Sequence, residues 1–458
     1  MKDSGNTVLD RLALFAEKLD FSALPGELVQ KACDCFFDFA GCYFGALKYL
    51  DDPAFPAKLA AINPSPDVTV WGLGIQCGVA EAALLTGCLG YELEYDDGVS
   101  LAGHWGSASI PAAYFSNVMH NGNGKTLICA IVAAYETGTR ISRFFSPRLL
   151  NRSVHFPCVM GAFAAVTAYG KAAGLDAGVI AGALSLAGLF PQGTYSTGIS
   201  GAGGKSLYSG WPNYLGINAV RFSLLNLRGD SGVLEDPCGF AAALGLPPPG
   251  AADCNAMLDG LGRRFSIMET YFKPYPCNRW FHAPVAALLA LREQYGFSPG
   301  SVREITVYGP SFLAMYNTHE GFDAKTACQY SLPYTLGAAL IAGKLTLEEY
   351  GVSMRSRKDL GELVSRIQVR PGADKAPSPY SVEVEAVLQN GQKCTACRTQ
   401  PWSPESPPSR DELIEKFRYL TASVLPDSAV EKWISCYKSG FYNDDVYKTL
   451  TDLLKERV

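Results

Sequence analysis

The sequence predicts a mainly α-helical protein with an α+β insert, in which a large all-helical domain is interrupted by a smaller α+β lid domain. Two observations support this prediction. Through most of the first 270 residues, apolar side chains recur at three- and four-residue spacing, which is the period of a helix with one buried face. From about residue 271 onward the pattern becomes alternating, and Asn390-Gly391 between two alternating runs is a strong signal for a hairpin.

The predicted elements follow the chain in three parts. Residues 1–270 form the first part of the helical domain, with helices over 8–19, 26–45, 76–88, 127–140, 159–173 and 177–189. Residues 271–396 form the lid domain, with strands over 302–308, 363–369, 381–388 and after Gly391, and helices near 283–295, 334–342 and 346–350. Residues 397–458 are a proline-rich linker and three capped helices, starting near Asp411, Asp427 and Asn443, which we expect to rejoin the helical domain.

Composition excludes several functional classes. The 458 residues are 48% hydrophobic and 18% charged, so much surface is expected to be buried, including surface covered by a partner subunit. A net charge of −5 argues against nucleic acid as a partner. The chain starts with a polar segment, and Lys171 and Asp176 interrupt its most apolar region. We therefore expect no secretory signal, no membrane span and a cytoplasmic or organelle-matrix location.

The 14 cysteines follow no regular framework, and without a signal segment they are expected to be reduced thiols. Cys394 and Cys397 form one Cys-x-x-Cys pair, but neither a second pair nor a nearby histidine accompanies it. A structural zinc site needs four ligands, so no metal site is predicted here.

A glycine-rich loop, residues 198–206, resembles a phosphate-binding loop only superficially. Counting back from Gly204-Lys205-Ser206 puts Ile199 where a phosphate loop needs glycine, and the dinucleotide pattern would need glycine at Ser206. We therefore reject nucleotide binding. Lys205 is the only charged side chain between residues 188 and 220, which favours a lysine directed at an anionic ligand. A solvated surface lysine is the alternative.

Two histidines are candidates for proton transfer. His104 follows the acidic pair Asp96-Asp97 by a few residues, in a stretch flanked by apolar helical segments. Burying such groups is costly unless they are paired, so a chain that places them beside a core is expected to use them. His155 immediately precedes an apolar helix, and imidazole titrates near neutral pH. For each histidine, a capping or packing role is the alternative.

Two further polar segments complete the candidate set. Lys273 and Asn278 lie at the predicted junction between the helical and α+β parts, where prolines hold the chain extended and where ligand sites are common. Tyr330 could donate a phenolic hydrogen bond, although a buried structural tyrosine is the alternative. Together these groups suit removal of a proton next to a carboxylate, with lysines stabilising the developing negative charge.

These motifs, in this order, resemble the MmgE/PrpD family. The matching segments are Tyr95-Asp-Asp-Gly98 with His104-Trp-Gly-Ser107, His155 before a small-residue helix, Lys205 before a spaced glycine pair, Lys273-Pro-Tyr-Pro276, and Tyr330. The resemblance implies an all-helical domain with an α+β lid, a homodimer, and no metal or organic cofactor. The activities it implies are dehydration of 2-methylcitrate, decarboxylation of cis-aconitate and epimerisation of iminodisuccinate.

The chain departs from the family pattern at four positions. Gly98 stands where threonine is usual, Glu94 where aspartate is usual, and Trp105 where proline is frequent. Asn278 replaces a histidine that the decarboxylases carry. Asparagine cannot transfer a proton, so this last departure disfavours decarboxylation, and an altered pocket around Gly98 and Trp105 is expected.

The leading hypothesis is a cofactor-independent hydro-lyase acting on a small anionic hydroxy-polycarboxylate. His104 and His155 would be base and acid, in an order left open, and Asp97 would orient His104. Lys205 and Lys273 would bind carboxylates. The remaining predicted site residues are Tyr330 as a donor, and Glu94, Asp96, Gly98 and Asn278 in contact with substrate. A racemase or epimerase of a small dicarboxylate is the second hypothesis. A silent relative that only binds a metabolite or a protein is the third.

Overall fold

The structure is a computed structural model that describes residues 7–50, 52–149, 154–191, 193–196, 203–372 and 380–457. It confirms the predicted fold class, since helices dominate and are accompanied by one small mixed sheet. The helices that precede residue 271 in these ranges are α1 (Val8–Lys18), α2 (Gly26–Lys48), α3 (Phe55–Ala60), α4 (Val79–Tyr91), α5 (Trp105–Met119), α6 (Gly124–Leu149), α7 (Phe156–Ala172), α8 (Ala177–Ala187), α9 (Leu207–Leu224), α10 (Phe240–Ala243) and α11 (Ala251–Leu258).

Small residues allow the central helices to approach closely. Where α7 crosses α9, a Cβ atom added at Gly161 would lie 2.8 Å from Pro212. A Cβ atom added at Gly216 would lie 2.7 Å from Ala165. The helices α4, α5 and α7 are buried almost all the way round, because other helices cover them on both faces.

The α+β part has its own hydrophobic core. Its helices are α12 (His282–Tyr295), α13 (Lys325–Gln329), α14 (Leu332–Ala342), α15 (Val352–Arg355) and α16 (Lys358–Val364). They accompany a four-stranded sheet of order β6-β5-β7-β8, made of β5 (Val302–Gly309), β6 (Ile367–Pro371), β7 (Ser381–Leu388) and β8 (Lys393–Thr399). β5 pairs parallel with β6, and the other pairs are antiparallel. The predicted hairpin is present, with Gly391 at φ +86° in its turn.

Two strand pairings of two residues each lie outside this sheet, and one of them matters for the site. β1 (Val68–Thr69) pairs with β2 (Gln76–Cys77), and β3 (Gly98–Val99) pairs with β4 (Thr270–Tyr271). The second pairing joins the acidic stretch to the chain that leads into the α+β part. An isolated bridge between Val154 and Thr194 lies near the start of α7.

The last three helices, α17 (Arg410–Thr421), α18 (Asp427–Ser439) and α19 (Asp444–Lys455), share the hydrophobic core of the first helices. The Phe37 ring stacks on Phe417 at 4.3 Å and on Tyr437 at 4.1 Å between ring centroids. Chain segments some 380 residues apart are thereby packed together.

Two predicted elements differ from the structure. The predicted helix over 76–88 starts only at Val79, because Gln76 and Cys77 pair as β2. Of the predicted strand over 363–369, Leu363 and Val364 end α16, and the strand begins at Ile367. A short apolar run fits the period of a helix and that of a strand equally well. In the structure Val364 packs against Gly337 of α14 as part of a helix.

All 14 cysteines are free thiols, and eleven of them are buried. None of the helices in the described ranges is both long enough and apolar enough to span a membrane.

Candidate active site

The candidate site is built around the acidic loop, defined here as residues 92–97, which connects α4 to β3. Gln329 Nε2 donates hydrogen bonds to the carbonyl oxygens of Leu93 (2.9 Å) and Pro276 (2.8 Å). The Tyr95 hydroxyl donates to the carbonyl of Pro274 at 2.8 Å. These bonds bring three of the predicted polar segments together at the contact between the helical body and the α+β part.

The C-terminal helix α17 holds the acidic loop from the other side. Lys416 Nζ donates to the Tyr95 carbonyl and to Asp38 Oδ1, both at 2.7 Å. All three residues are buried, so these bonds form where water does not compete. The backbone of the acidic loop is therefore positioned by residues from both ends of the chain.

Glu94 lies at the centre of the site and joins the two predicted lysines. Its Oε1 accepts from Lys205 Nζ at 2.5 Å and from the Tyr330 hydroxyl at 2.9 Å. Its Oε2 and its carbonyl oxygen both accept from Lys273 Nζ at 3.0 Å. Glu94 also has a φ of +55°, a left-handed conformation that is strained for a residue with a side chain. The lysine bonds hold it there.

These groups change one another's pKa. Burial opposes ionisation of Glu94, but Lys205 and Lys273 outweigh burial and hold its pKa well below the usual value. Burial lowers the pKa of Lys205, whereas Glu94 and Asp96 overcome burial and raise the pKa of Lys273. Lys205 and Lys273 exceed the Glu94 carboxylate between them by one positive charge, and Asp96 is a further acidic group near Lys273. The two ammonium groups are where an anionic ligand would bind.

His104 is the residue immediately before α5, and its hydrogen bonds indicate its tautomer. His104 Nδ1 lies 2.8 Å from the carbonyl oxygen of Asp97 and 3.4 Å from Asp96 Oδ2. A carbonyl oxygen can only accept, so Nδ1 carries the proton and donates it. In neutral His104, the Nε2 lone pair is therefore available as a base.

Asp97 contacts His104 through its backbone carbonyl, and its carboxylate is bonded elsewhere. Its Oδ2 accepts from the Tyr135 hydroxyl at 2.5 Å, on the side of α6. Burial, together with Asp38 and Asp96 and against the Tyr135 hydrogen bond, raises the pKa of Asp97 to about 7. Asp96 is the carboxylate nearest His104, and it also accepts from the Ser107 hydroxyl at 2.8 Å. Spacing alone does not predict that the Asp96 carboxylate lies near His104 while the Asp97 carboxylate accepts from Tyr135.

His155 caps the start of α7. Its Nδ1 accepts from the Cys158 backbone N–H at 3.3 Å, so neutral His155 carries its proton on Nε2 and is a donor there. The imidazole stacks on the Tyr208 ring with centroids 3.8 Å apart and planes 11° apart. Burial and the positive charges of His104 and Lys205 lower the pKa of His155 to about 3. It is therefore neutral at physiological pH.

Lys205 is not a solvated surface lysine. It is 5% exposed, and its Nζ lies 4.9 Å from the centroid of the Tyr91 ring and 5.1 Å from that of Tyr330. Such cation–π contacts add to the attraction of Glu94. Of the glycine-rich loop, residues 198–202 lie outside the described part of the chain.

The departures from the family pattern have different structural consequences. Asn278 is buried, and its Oδ1 accepts from the Trp280 backbone N–H at 3.0 Å at the start of a short turn. The Trp105 ring packs between Gly103 and α6, where its Nε1 donates to Thr139 Oγ1 at 2.8 Å. Gly98 lies in β3, opposite Tyr271.

Sequence reasoning missed the aromatic side chains that surround these polar groups. Their contacts are with His104 for Tyr91, with His155 for Tyr195 and Tyr208, with Gly98 for Tyr271, and with Asn278 for Tyr316. The sequence holds 23 tyrosines, and their spacing does not single out these five. Spacing could have indicated two of them: Tyr208, three residues after Lys205, and Tyr271, two residues before Lys273.

Within the described ranges, no group of three or more histidine, cysteine, aspartate or glutamate side chains is arranged to hold a metal ion. The candidate site brings together His104, His155 and the cluster of Lys205, Glu94 and Lys273.

Two domain models of one family match this chain, and the related proteins found are 23% identical to it. The MmgE/PrpD N-terminal domain model matches residues 10–249, and the MmgE/PrpD C-terminal domain model matches residues 275–438. A cis-aconitate decarboxylase of Aspergillus terreus is 23% identical over 457 residues, covering 93% of this chain and 91% of that protein. The cis-aconitate decarboxylase of Homo sapiens is 23% identical over 402 residues, covering 84% and 82%. The chain belongs to the MmgE/PrpD family.

Proposed function

We propose that this protein is a cofactor-independent lyase that dehydrates a small hydroxy-polycarboxylate. The observation that carries the proposal is a histidine whose neutral ring has no proton on Nε2, His104, in the same buried site as the cluster of Lys205, Glu94 and Lys273. A base beside fixed positive charge suits removal of a proton next to a carboxylate, because the charge that develops on the carboxylate is stabilised there.

In the proposed reaction, His104 Nε2 removes a proton from the carbon next to a substrate carboxylate. The electron pair of that C–H bond becomes the new carbon–carbon double bond as the neighbouring C–O bond breaks. Lys205 and Lys273 each have further N–H groups beyond those donated to Glu94, and they hold the substrate carboxylates. The departing hydroxyl group takes the proton from His104 and leaves as water.

His155 and Tyr330 serve in this proposal as hydrogen-bond donors. Since His155 is neutral and protonated on Nε2, it can donate to the departing oxygen without first gaining a proton. Burial and the nearby Glu94 raise the pKa of Tyr330 well above its usual value, so its hydroxyl also stays protonated. The order that the sequence left open is thereby proposed: His104 is the base and His155 the donor.

Decarboxylation is the second candidate, because the relatives named above are cis-aconitate decarboxylases. The same base and lysine cluster would serve a carbanion formed by loss of carbon dioxide. Asn278 weighs against this candidate, since an amide cannot deliver a proton to that carbanion. Epimerisation would instead need a second group able to exchange protons, and the low pKa of His155 does not favour it in that role.

The test is incubation of the purified protein with citrate, 2-methylcitrate, cis-aconitate and trans-aconitate in deuterium oxide, followed by proton NMR and ultraviolet absorbance. We expect a new alkene signal from a hydroxy acid, or its loss from an aconitate on hydration. Release of carbon dioxide would favour decarboxylation. Deuterium incorporation without an alkene would favour the epimerase, and silence with all four compounds would contradict the lyase proposal.

We also propose that the protein is a homodimer, formed through the outer face of α9 and the chain at its ends. Of the 15 large apolar side chains exposed in the described ranges, eight lie between residues 189 and 227. They are Leu189, Phe190, Leu207, Trp211, Phe222, Leu224, Leu225 and Leu227. Arg221 is the single charged residue of α9, and low charge with clustered apolar groups is typical of the buried centre of a subunit interface.

Light scattering coupled to size exclusion tests the dimer. The wild-type protein should have about twice the 49.2 kDa mass of one chain. The double variant Leu225→Glu, Leu227→Glu should be monomeric, because two carboxylates would be buried without partners in the interface. Ile62→Glu is the matched control, since Ile62 is 72% exposed and lies outside this cluster. A wild-type monomer, or a double variant that stays dimeric, contradicts the proposed interface.

A further inference from the structure

Tyr271 lies in the candidate site, although the proposed reaction gives it no role. It is the last residue of β4 and lies directly opposite Gly98 in β3. Lys273 follows two residues later, and side chains two residues apart in an extended segment leave the same face. The Tyr271 side chain therefore points to the side on which Lys273 contacts Glu94.

Gly98 leaves the space that the Tyr271 hydroxyl occupies. A Cβ atom at position 98 would lie 2.5 Å from the Tyr271 oxygen and 2.8 Å from the ring carbon that bears it. Gly98 does not have a positive φ, so its backbone conformation is one that other residues adopt. The missing side chain is thus explained by the close approach of Tyr271 and not by the backbone.

The surroundings of the Tyr271 hydroxyl are those of a ligand contact. Burial, together with Asp96 and Glu94, raises the pKa of Tyr271 to about 12, against the opposing effect of Lys273 and Arg279. Its ring is held by the Arg279 guanidinium, 4.3 Å from the ring centroid. The residue is only 4% exposed, and its phenolic hydroxyl can donate a hydrogen bond.

We propose that Tyr271 is a substrate-binding residue. Its hydroxyl, which occupies the space that Gly98 leaves, donates a hydrogen bond to an oxygen of the polycarboxylate. The inference rests on the proposed function, since it concerns the same substrate. In this proposal Gly98 and Tyr271 together contribute to substrate specificity. The Tyr271 hydroxyl supplies the hydrogen-bond donor, and a side chain at position 98 cannot supply it because the tyrosine already fills that space.

Steady-state kinetics on Tyr271→Phe, with the substrate identified from the polycarboxylate panel, tests this proposal. The variant keeps the ring and its contact with Arg279 and loses only the hydroxyl, so kcat/KM should fall by about 10-fold to 100-fold, as for loss of one hydrogen bond to a charged group. Tyr114→Phe is the matched control, because Tyr114 is also buried and its electrostatic neighbours are Tyr447 and Asp452. Its kinetics should equal those of the wild type.

A double variant at positions 98 and 271 separates a substrate contact from a packing role. Gly98→Ser alone should reduce activity, because the new Cβ would overlap the Tyr271 ring. Tyr271→Leu alone removes both ring and hydroxyl. Combining them restores space and a hydroxyl near the same point, so the double variant should exceed Tyr271→Leu in kcat/KM by about fivefold or more, given the usual coupling of contacting residues.

The outcomes are distinct. If the wild type turns over the substrate and Tyr271→Phe stays within about twofold of it in both kcat and KM, the substrate contact is refuted while the lyase proposal stands. A double variant no better than Tyr271→Leu also counts against the contact. If the wild type acts on no polycarboxylate, the proposed function fails and the role of Tyr271 fails with it.

Discussion

The variant His104→Asn is expected to lose turnover by about 100-fold to 10,000-fold while remaining folded, because it removes the proposed base. Asparagine can keep a hydrogen bond to the carbonyl of Asp97 but has no lone pair that accepts a proton at neutral pH. The measurement is kcat with the substrate from the polycarboxylate panel, together with circular dichroism and the midpoint of thermal unfolding.

His120→Asn is the matched control for this substitution. His104 precedes the first residue of α5 and His120 follows its last, so both variants replace a histidine at an end of the same helix. His120 Nδ1 lies 2.8 Å from the carbonyl oxygen of Ser116, and its ring packs edge-on against Tyr169, away from the lysine cluster. We expect wild-type turnover from His120→Asn. Turnover near the wild-type rate in His104→Asn would remove this histidine from the mechanism.

The variant Glu94→Gln is expected to lower the free energy of unfolding by about 3–5 kcal/mol, the range seen when one partner of a buried ion pair is removed. Glutamine has nearly the same shape, but it leaves Lys205 and Lys273 buried with no carboxylate between them. Added citrate should stabilise this variant more than the wild type, because a ligand carboxylate can replace the lost charge. Denaturant unfolding with and without citrate measures both effects.

The pH dependence of this difference has a defined sign. Because the pKa of Glu94 is lowered on folding, its ionisation stabilises the folded state above the ordinary value of 4.5. That contribution is lost as the pH falls through the folded-state pKa. The gap in stability between wild type and Glu94→Gln should therefore be constant near neutral pH and should shrink at acid pH below 4.5.

Glu92→Gln is the control for the Glu94 variant. Glu92 lies in the same acidic loop and pairs with Lys325 at 3.2 Å, but its side chain is 23% exposed. Removing a partly exposed pair should cost less than about 1 kcal/mol, since water solvates the lysine that remains. Equal losses in the two variants would mean that the burial of the Lys205–Glu94–Lys273 cluster has no special energetic consequence.

Part of the fold could be predicted because several helices have one clearly apolar face. The predicted bounds of α1, α2 and α8 agree with the structure to within a few residues, and so do the predicted starts of α17 to α19. They omitted α5 and α9, although these helices are 15 and 18 residues long. α5 is buried nearly all round and α9 exposes apolar residues at both ends, so neither shows the contrast between faces on which periodicity depends.

The sequence by itself determined the fold class, the family resemblance and the identity of the polar residues in the site, because apolar period and motif order are local properties of the chain. Only the tertiary structure decided which partners those residues contact. It placed the Asp96 carboxylate near His104 and the Asp97 carboxylate against Tyr135, made Glu94 the partner of both lysines, and brought Tyr271 against Gly98. The last two outcomes depend on contacts between segments more than 100 residues apart, and the pKa shifts depend on burial. Neither can be read from local spacing.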